Sequence, residues 1–388
     1  MDELSILMTI SVIIFTSPYF SKVLRIPIPP IEIILGSLAG YYGFVSDYYL
    51  FELVAEVGFF YLMFLAGAEV NLNVFTITDR AILKQGLVYL TLLYLLSFAI
   101  TTYLGLSHIF IVIMPLLSVG LIFALYKDYG KDKEWLNLAM LIGTMGELVS
   151  IALLTFVGAM LEFGVGFELY KSIGYLILFL GAIILAFRAL QVLFWWYPEF
   201  KIYLMPHYDK DEKDIRLSMA LFFMMIAIML FLHLEIAFGA FIAGTFIATF
   251  FEHKKELPHK LSAFGFGFLV PTFFIYIGST FDLDALWMEG LLETALWIAL
   301  GMFVIRQVSA LVFLKHLGMK QTILFGLSHS MPLTLLIAVA TIAYRSQSID
   351  QHHYFAFILA SLIEVIIAMT GIKIICSSGI RLKLKSKN

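Results

Sequence analysis

Apolar runs of about 20 residues recur from one end of this 388-residue chain to the other, separated by short polar stretches. Wound as an α-helix at ~1.5 Å per residue, each such run is long enough to cross a hydrocarbon layer ~30 Å thick. Composition agrees: 61% of residues are hydrophobic and 14% charged, against about 25% charged in ordinary soluble domains. The mean hydropathy is +0.96. No water-soluble core hides that much apolar surface. A soluble enzyme, a nucleic-acid binder, a disulfide-stapled domain and a disordered chain are therefore excluded. The single cysteine, Cys376, leaves no internal disulfide and no Cys-rich metal site. There is no phosphate-binding P-loop, no potassium-channel filter and no His/Cys cluster for a haem, so no cofactor and no catalytic centre are expected.

The expected fold class is an all-α polytopic membrane protein with 13 transmembrane helices. The spans fall at 4–20, 31–45, 51–70, 82–104, 108–126, 135–161, 169–195, 216–233, 235–251, 261–281, 291–314, 321–344 and 353–376, with spans 8 and 9 divided at His233 and Glu235. Charge supports the count. With the N-terminus outside and the C-terminus cytoplasmic, twenty-one of the 25 Lys and Arg fall on the inside. Only Lys171 and Arg345 fall outside, and Arg188 and Arg306 lie within spans, which is the positive-inside pattern. The start Met1-Asp2-Glu3 has no basic n-region, so span 1 is expected to be retained. Loops are short, and no soluble domain is expected.

The chain also resembles itself. Phe59-Phe60 then Gly67-Ala68-Glu69-Val70-Asn71-Leu72 in span 3 is echoed by Phe273-Phe274 then Gly278-Ser279-Thr280-Phe281-Asp282-Leu283 in span 10. Met114-Pro115-Leu116 in span 5 matches Met331-Pro332-Leu333 in span 12, and Glu147 in span 6 matches Glu364 in span 13. Gly36-Ser37-Leu38-Ala39-Gly40 in span 2 pairs with Phe241-Ile242-Ala243-Gly244 in span 9. Partners seven spans apart cross in opposite senses. Two inverted-topology repeats are therefore expected, spans 1–6 and 8–13, with span 7 as connector, an arrangement typical of secondary transporters. Pro115 and Pro332 each remove a helix hydrogen bond, so spans 5 and 12 are expected to be broken. Broken helices at matched positions point to a substrate site.

Charges inside a membrane need a reason. Glu147, Arg188, Arg306 and Glu364 lie deepest, while Glu32, Glu56, Glu69 and Glu235 lie nearer span ends within reach of water. Glu147 has Thr144 and Ser150 three residues to either side, and Gly143 and Gly146 leave room for a neighbouring backbone. A carboxylate with hydroxyls around it suits a hard monovalent cation or a proton, one at a time. Arg306 is expected to answer freed carbonyls or to pair with Glu147. Glu364 is expected to be structural, held by a backbone amide or by Arg306. His329 is expected to be a packing histidine.

These motifs, in order along nearly the whole chain, resemble the monovalent cation/proton antiporter superfamily, the sodium/proton exchanger fold. The likeness is carried by Pro29-Pro30-Ile31-Glu32 with Gly36 and Gly40, by Phe64-Leu65-Ala66-Gly67-Ala68-Glu69, by Gly239-Ala240-Phe241-Ile242-Ala243-Gly244, and by Val270-Pro271-Thr272-Phe273-Phe274 with Gly278. The family's acidic pair of span 6 falls on Gly146-Glu147, its hydroxyl pair of span 5 on Ser118-Val119, and its basic residue of span 11 on Arg306. The resemblance implies a homodimeric antiporter in the cell membrane, exchanging Na+ or K+ for H+, with Glu147, Ser118, Thr144 and Ser150 as ligands. It implies a scaffold of about 4–70 and 216–281, a moving ion-binding core of about 82–161 and 291–376, and a linker helix at 169–195. One acid in place of two implies electroneutral 1:1 exchange. A gradient-driven symporter on a related fold and a non-transporting membrane scaffold or sensor stay open as alternatives.

Overall fold

The computed structural model describes residues 2–385 apart from 25, 46–47, 71–77, 131, 164–166, 207–210, 235, 253, 255, 282 and 346. The described residues form helices and no strands. In order they are α1 (Asp2–Leu24), α2 (Ile28–Tyr41), α3 (Tyr49–Ala68), α4 (Arg80–Tyr103), α5 (Phe110–Ile113) and α6 (Gly120–Tyr129). There follow α7 (Glu134–Phe163), α8 (Phe167–Trp196), α9 (Pro198–Leu204), α10 (Lys213–Leu232), α11 (Ile236–Phe250) and α12 (Leu257–Phe264). A π-helical turn (Gly265–Leu269) joins α12 to α13 (Val270–Ser279); α14 (Leu291–Ala310), α15 (Leu314–His329), α16 (Leu333–Arg345) and α17 (Gln351–Lys385) complete the chain. Among the described residues, eight helical stretches are long and apolar enough to cross a membrane, and α2 and α11 are shorter apolar helices. The protein is thus an all-helical, multi-pass membrane protein.

Local chemistry explains the boundaries. α2 begins at Ile28, ahead of the expected 31, because Pro29 and Pro30 fit a first turn whose N–H groups need no acceptor. Asp79 caps α4, accepting from the Ala81 amide at 3.0 Å. His233 takes a left-handed φ of 53° to end α10. Between α14 and the rest of α15, Gly318 (φ 72°, ψ 164°) adopts a backbone conformation open essentially to glycine alone, and the chain turns where Lys315 and Lys320 mark the expected loop.

Contacts divide the chain into two compact units, Met1–Ile77 with Thr155–Leu283 and Thr78–Leu154 with Asp284–Asn388. In the first, glycines set the packing. A Cβ at Gly36 or Gly40 of α2 would strike the Ile275 or Ser279 carbonyl of α13, and one at Gly278 would strike the Ile33 carbonyl. α3 and α11 meet the same way, Gly67 against the Phe241 carbonyl and Gly244 against the Phe64 carbonyl. Lipid offers no hydrophobic drive to helix association, so close backbone approach over small residues supplies it through dispersion.

Glu32 differs from expectation. It is buried and accepts from Ser17 Oγ of α1 at 3.2 Å, because the start of α2 at Ile28 leaves it in the second turn of the helix, not at its water-facing end. Glu56 and Glu69 are half-buried, and Arg188 is exposed on α8. Asn71, Leu72, Glu235, Asp282 and the Arg345 side chain lie outside the described residues.

Candidate ion-binding site

The second unit holds both proline interruptions. Between α5 and α6, residues 114–119 leave the helix around Pro115; between α15 and α16, residues 330–332 do so at Pro332. Pro115 has no N–H for the Ile111 carbonyl one turn back. Ser97 Oγ of α4 satisfies that carbonyl at 3.1 Å and that of Phe110 at 3.2 Å. At the other break, the Ser330 amide bonds the Leu327 carbonyl in a tighter turn (3.1 Å), and its own hydroxyl takes the Gly326 carbonyl (3.1 Å).

Glu147 on α7 is fully buried against the first break. The Val119 backbone N–H donates to Oε2 at 3.2 Å, and Ser118 Oγ donates to Oε1 at 3.4 Å. The second distance exceeds the ~2.7 Å usual for O–H···O bonds, so the hydroxyl is a loose partner. Among the described residues no cationic side chain pairs with this carboxylate. Where the expected hydroxyl pair ends in valine, the backbone amide at 119 serves instead.

Arg306 on α14 is also fully buried but is committed elsewhere. Its Nη1 donates to Glu364 Oε1 at 3.2 Å and to the Met302 carbonyl at 2.9 Å, and its Nη2 donates to the Leu116 carbonyl at 2.9 Å. Of the two pairings open from the sequence, the structure contains Arg306 with Glu364. The arginine also answers a carbonyl freed by the break. Glu364 Oε2 finds no hydrogen-bond partner among the described residues.

Other expected ligands are placed differently. Thr144 Oγ1 donates to the Met140 carbonyl one turn back at 2.8 Å, the usual resort of a threonine inside a helix, and no hydrogen bond joins it to Glu147 among the described residues. Ser150 Oγ accepts from the Leu117 amide at 3.3 Å, so it braces the unwound segment. Gly143 and Gly146 admit side chains where a backbone was expected: His329, Val119 and Ile122 beside the first, Leu117 beside the second. His329 is buried, its Nε2 donating to the Ala139 carbonyl at 3.1 Å and its ring against Phe325 and Tyr89. Sequence reasoning missed Ser97, whose signal is a lone small hydroxyl in an apolar run, and the Val119 amide, which has no sequence signal at all.

Chemically, the arrangement is one buried carboxylate with a hydroxyl and an amide, set against interrupted backbone whose loose carbonyls are already answered by serines and an arginine. The transmembrane family of sodium/hydrogen exchangers matches residues 10–378. The chain belongs to that family. Among curated relatives, a putative Na+/H+ antiporter of Bacillus subtilis is 24% identical over 93% of this chain, which spans only 61% of that relative's length. A probable Na+/H+ antiporter of Methanocaldococcus jannaschii is 27% identical over 79% of each chain. The exchanger fold is further shown by the solved sodium proton antiporter MjNhaP1 of the same archaeon, at TM-score 0.67 and 12% identity, covering 96% of this chain and 99% of that one. The exchanger relatives are transporters, not enzymes.

Proposed function

We propose that this chain is a secondary antiporter that exchanges a monovalent cation, Na+ or K+, for H+ in a cell membrane, one for one, by alternating access. One observation carries the reading: a fully buried Glu147 lies at broken backbone with no paired cation among the described residues, while the nearby arginine is held by Glu364. Deprotonated Glu147 binds the cation together with the loosely placed Ser118 hydroxyl. Protonated Glu147 has no charge to hold it. Because the two guests compete for one carboxylate, each biases the protein towards its own occupied state.

Thirteen spans, an outside N-terminus and two inverted repeats belong to the same proposal. The repeats are supported by the glycine contacts of the first unit. Gly36 on Ile275 with Gly278 on Ile33 corresponds, helix for helix, to Gly244 on Phe64 with Gly67 on Phe241. Spans 1–3 and 8–10 form the scaffold of a homodimer in this reading, and the unit carrying Glu147 moves.

The test is the pH dependence of cation affinity in proteoliposomes. As protons vacate the site, the apparent KM for Na+ or K+ falls with rising pH, by about tenfold per unit in the acid range if one proton leaves per cation bound. A KM indifferent to pH overturns the mechanism.

A further inference from the structure

The second unit contains a cavity of about 590 Å³ that the exchange mechanism leaves unused. It lies between the end of α4, the short helix α5, the first turns of α14 and the start of α17. Its polarity is one-sided. Thr294 and His353 stand where α14 and α17 begin, and around them Thr294 Oγ1 meets His352 Nε2 at 3.1 Å while Asp350 Oδ1 accepts from the His353 amide at 2.8 Å and ring at 2.7 Å. Deeper in, the wall is apolar, running along α14 through Trp297, Leu300 and Gly301 to Val304. Phe110 lies below the rim, its ring 5.6 Å from that of His353, and Met114 of the first break forms the floor. Gly301 keeps the floor open, since a Cβ there would come 2.7 Å from the Met114 methyl.

We infer that this cavity is a binding site for one acyl chain of a bilayer phospholipid. The mouth is apolar and open, with Leu104, Trp297 and Leu300 exposed, so the medium that reaches it is lipid. From Thr294 to Val304 the wall descends about 15 Å along the helix, half of a ~30 Å hydrocarbon core. That is the depth of one leaflet. The polar rim is at the helix ends, where a headgroup sits, and the volume falls within the ~300–1,000 Å³ of specific small-molecule sites. A chain so placed ends against Met114 and props the interrupted segment that leads to Ser118.

Native mass spectrometry of the full chain purified in detergent tests this without any transport measurement. Wild type and Leu296→Phe, a change on the exposed face outside the cavity, retain one phospholipid per chain after delipidating washes. Gly301→Phe fills the cavity and retains at least fivefold less. Equal retention by Gly301→Phe, or none by wild type, overturns the inference. A second measurement avoids the filled variant: Trp297 is kept as sole tryptophan, with Trp135, Trp195, Trp196 and Trp287 changed to Phe, and is loaded with acyl-brominated phospholipid. Quenching that persists in excess unbrominated detergent supports a held chain, and full recovery of fluorescence contradicts it.

Discussion

A carboxylate removed from water requires a proton, a cation or strong donors, and the two buried glutamates of the second unit meet that requirement differently. Glu364 has a guanidinium at 3.2 Å; Glu147 has an amide and a distant hydroxyl. Arg306→Ala therefore strands Glu364 and lowers stability by about 3–5 kcal/mol, whereas Arg306→Met with Glu364→Leu recovers most of that loss. Thermal unfolding followed by tryptophan fluorescence separates the two, and a double variant no better than the single one contradicts the pairing. Exchange stays impaired in the double variant because the Leu116 carbonyl loses its donor. At this scale the sequence pointed to Glu147 because a buried charge is costly, and the structure sets the Ser118 hydroxyl beside it. The sequence was silent on the Val119 amide, since every residue but proline carries one. Thr144 was expected beside Glu147, and in the structure its hydroxyl bonds the Met140 carbonyl one turn back, since a helix carbonyl competes for it.

The prolines announced the breaks in spans 5 and 12, but not what repairs them. Ser97 takes the Ile111 carbonyl that Pro115 leaves open, and the Ser330 hydroxyl takes the Gly326 carbonyl that its own amide gives up in the tighter turn, roles that no local pattern encodes. The glycines read more clearly than the aromatic pairs. Gly67 and Gly278 occupy corresponding backbone contacts, while Phe59-Phe60 and Phe273-Phe274 stand at different distances from them along the chain. Gly67→Ala and Gly244→Ala force a methyl against a facing backbone carbonyl and cost about 1–3 kcal/mol each. Gly181→Ala in α8, with open space around it, gains up to ~1 kcal/mol from reduced backbone freedom. Midpoints of thermal unfolding in detergent check both signs; equal effects at all three positions contradict the close-packing account.

At the scale of the whole molecule, the all-helical, multi-pass character was legible because runs of about 20 apolar residues leave few alternatives, and eight helical stretches among the described residues are long and apolar enough to cross a membrane. Chemistry was less legible than architecture: pairing across α7, α14 and α17 depends on tertiary contacts far apart in sequence. With Glu147 as the one exchanging acid, the proposed cycle carries no net charge. An imposed membrane potential of either sign leaves the exchange rate unchanged, whereas a cycle moving one net charge feels about 2.3 kcal/mol per 100 mV. Flux measured with potassium and valinomycin, using Na+ as the exchanged ion, decides this. The central claim rests on Glu147, and it is tested most directly by pH-dye exchange in proteoliposomes supplied with Na+, K+ or Li+. Wild type dissipates a pH gradient with at least one of these ions, Glu147→Asp does so with altered cation affinity, and Glu147→Gln shows only background leak. Exchange by folded Glu147→Gln at the wild-type rate would contradict the account.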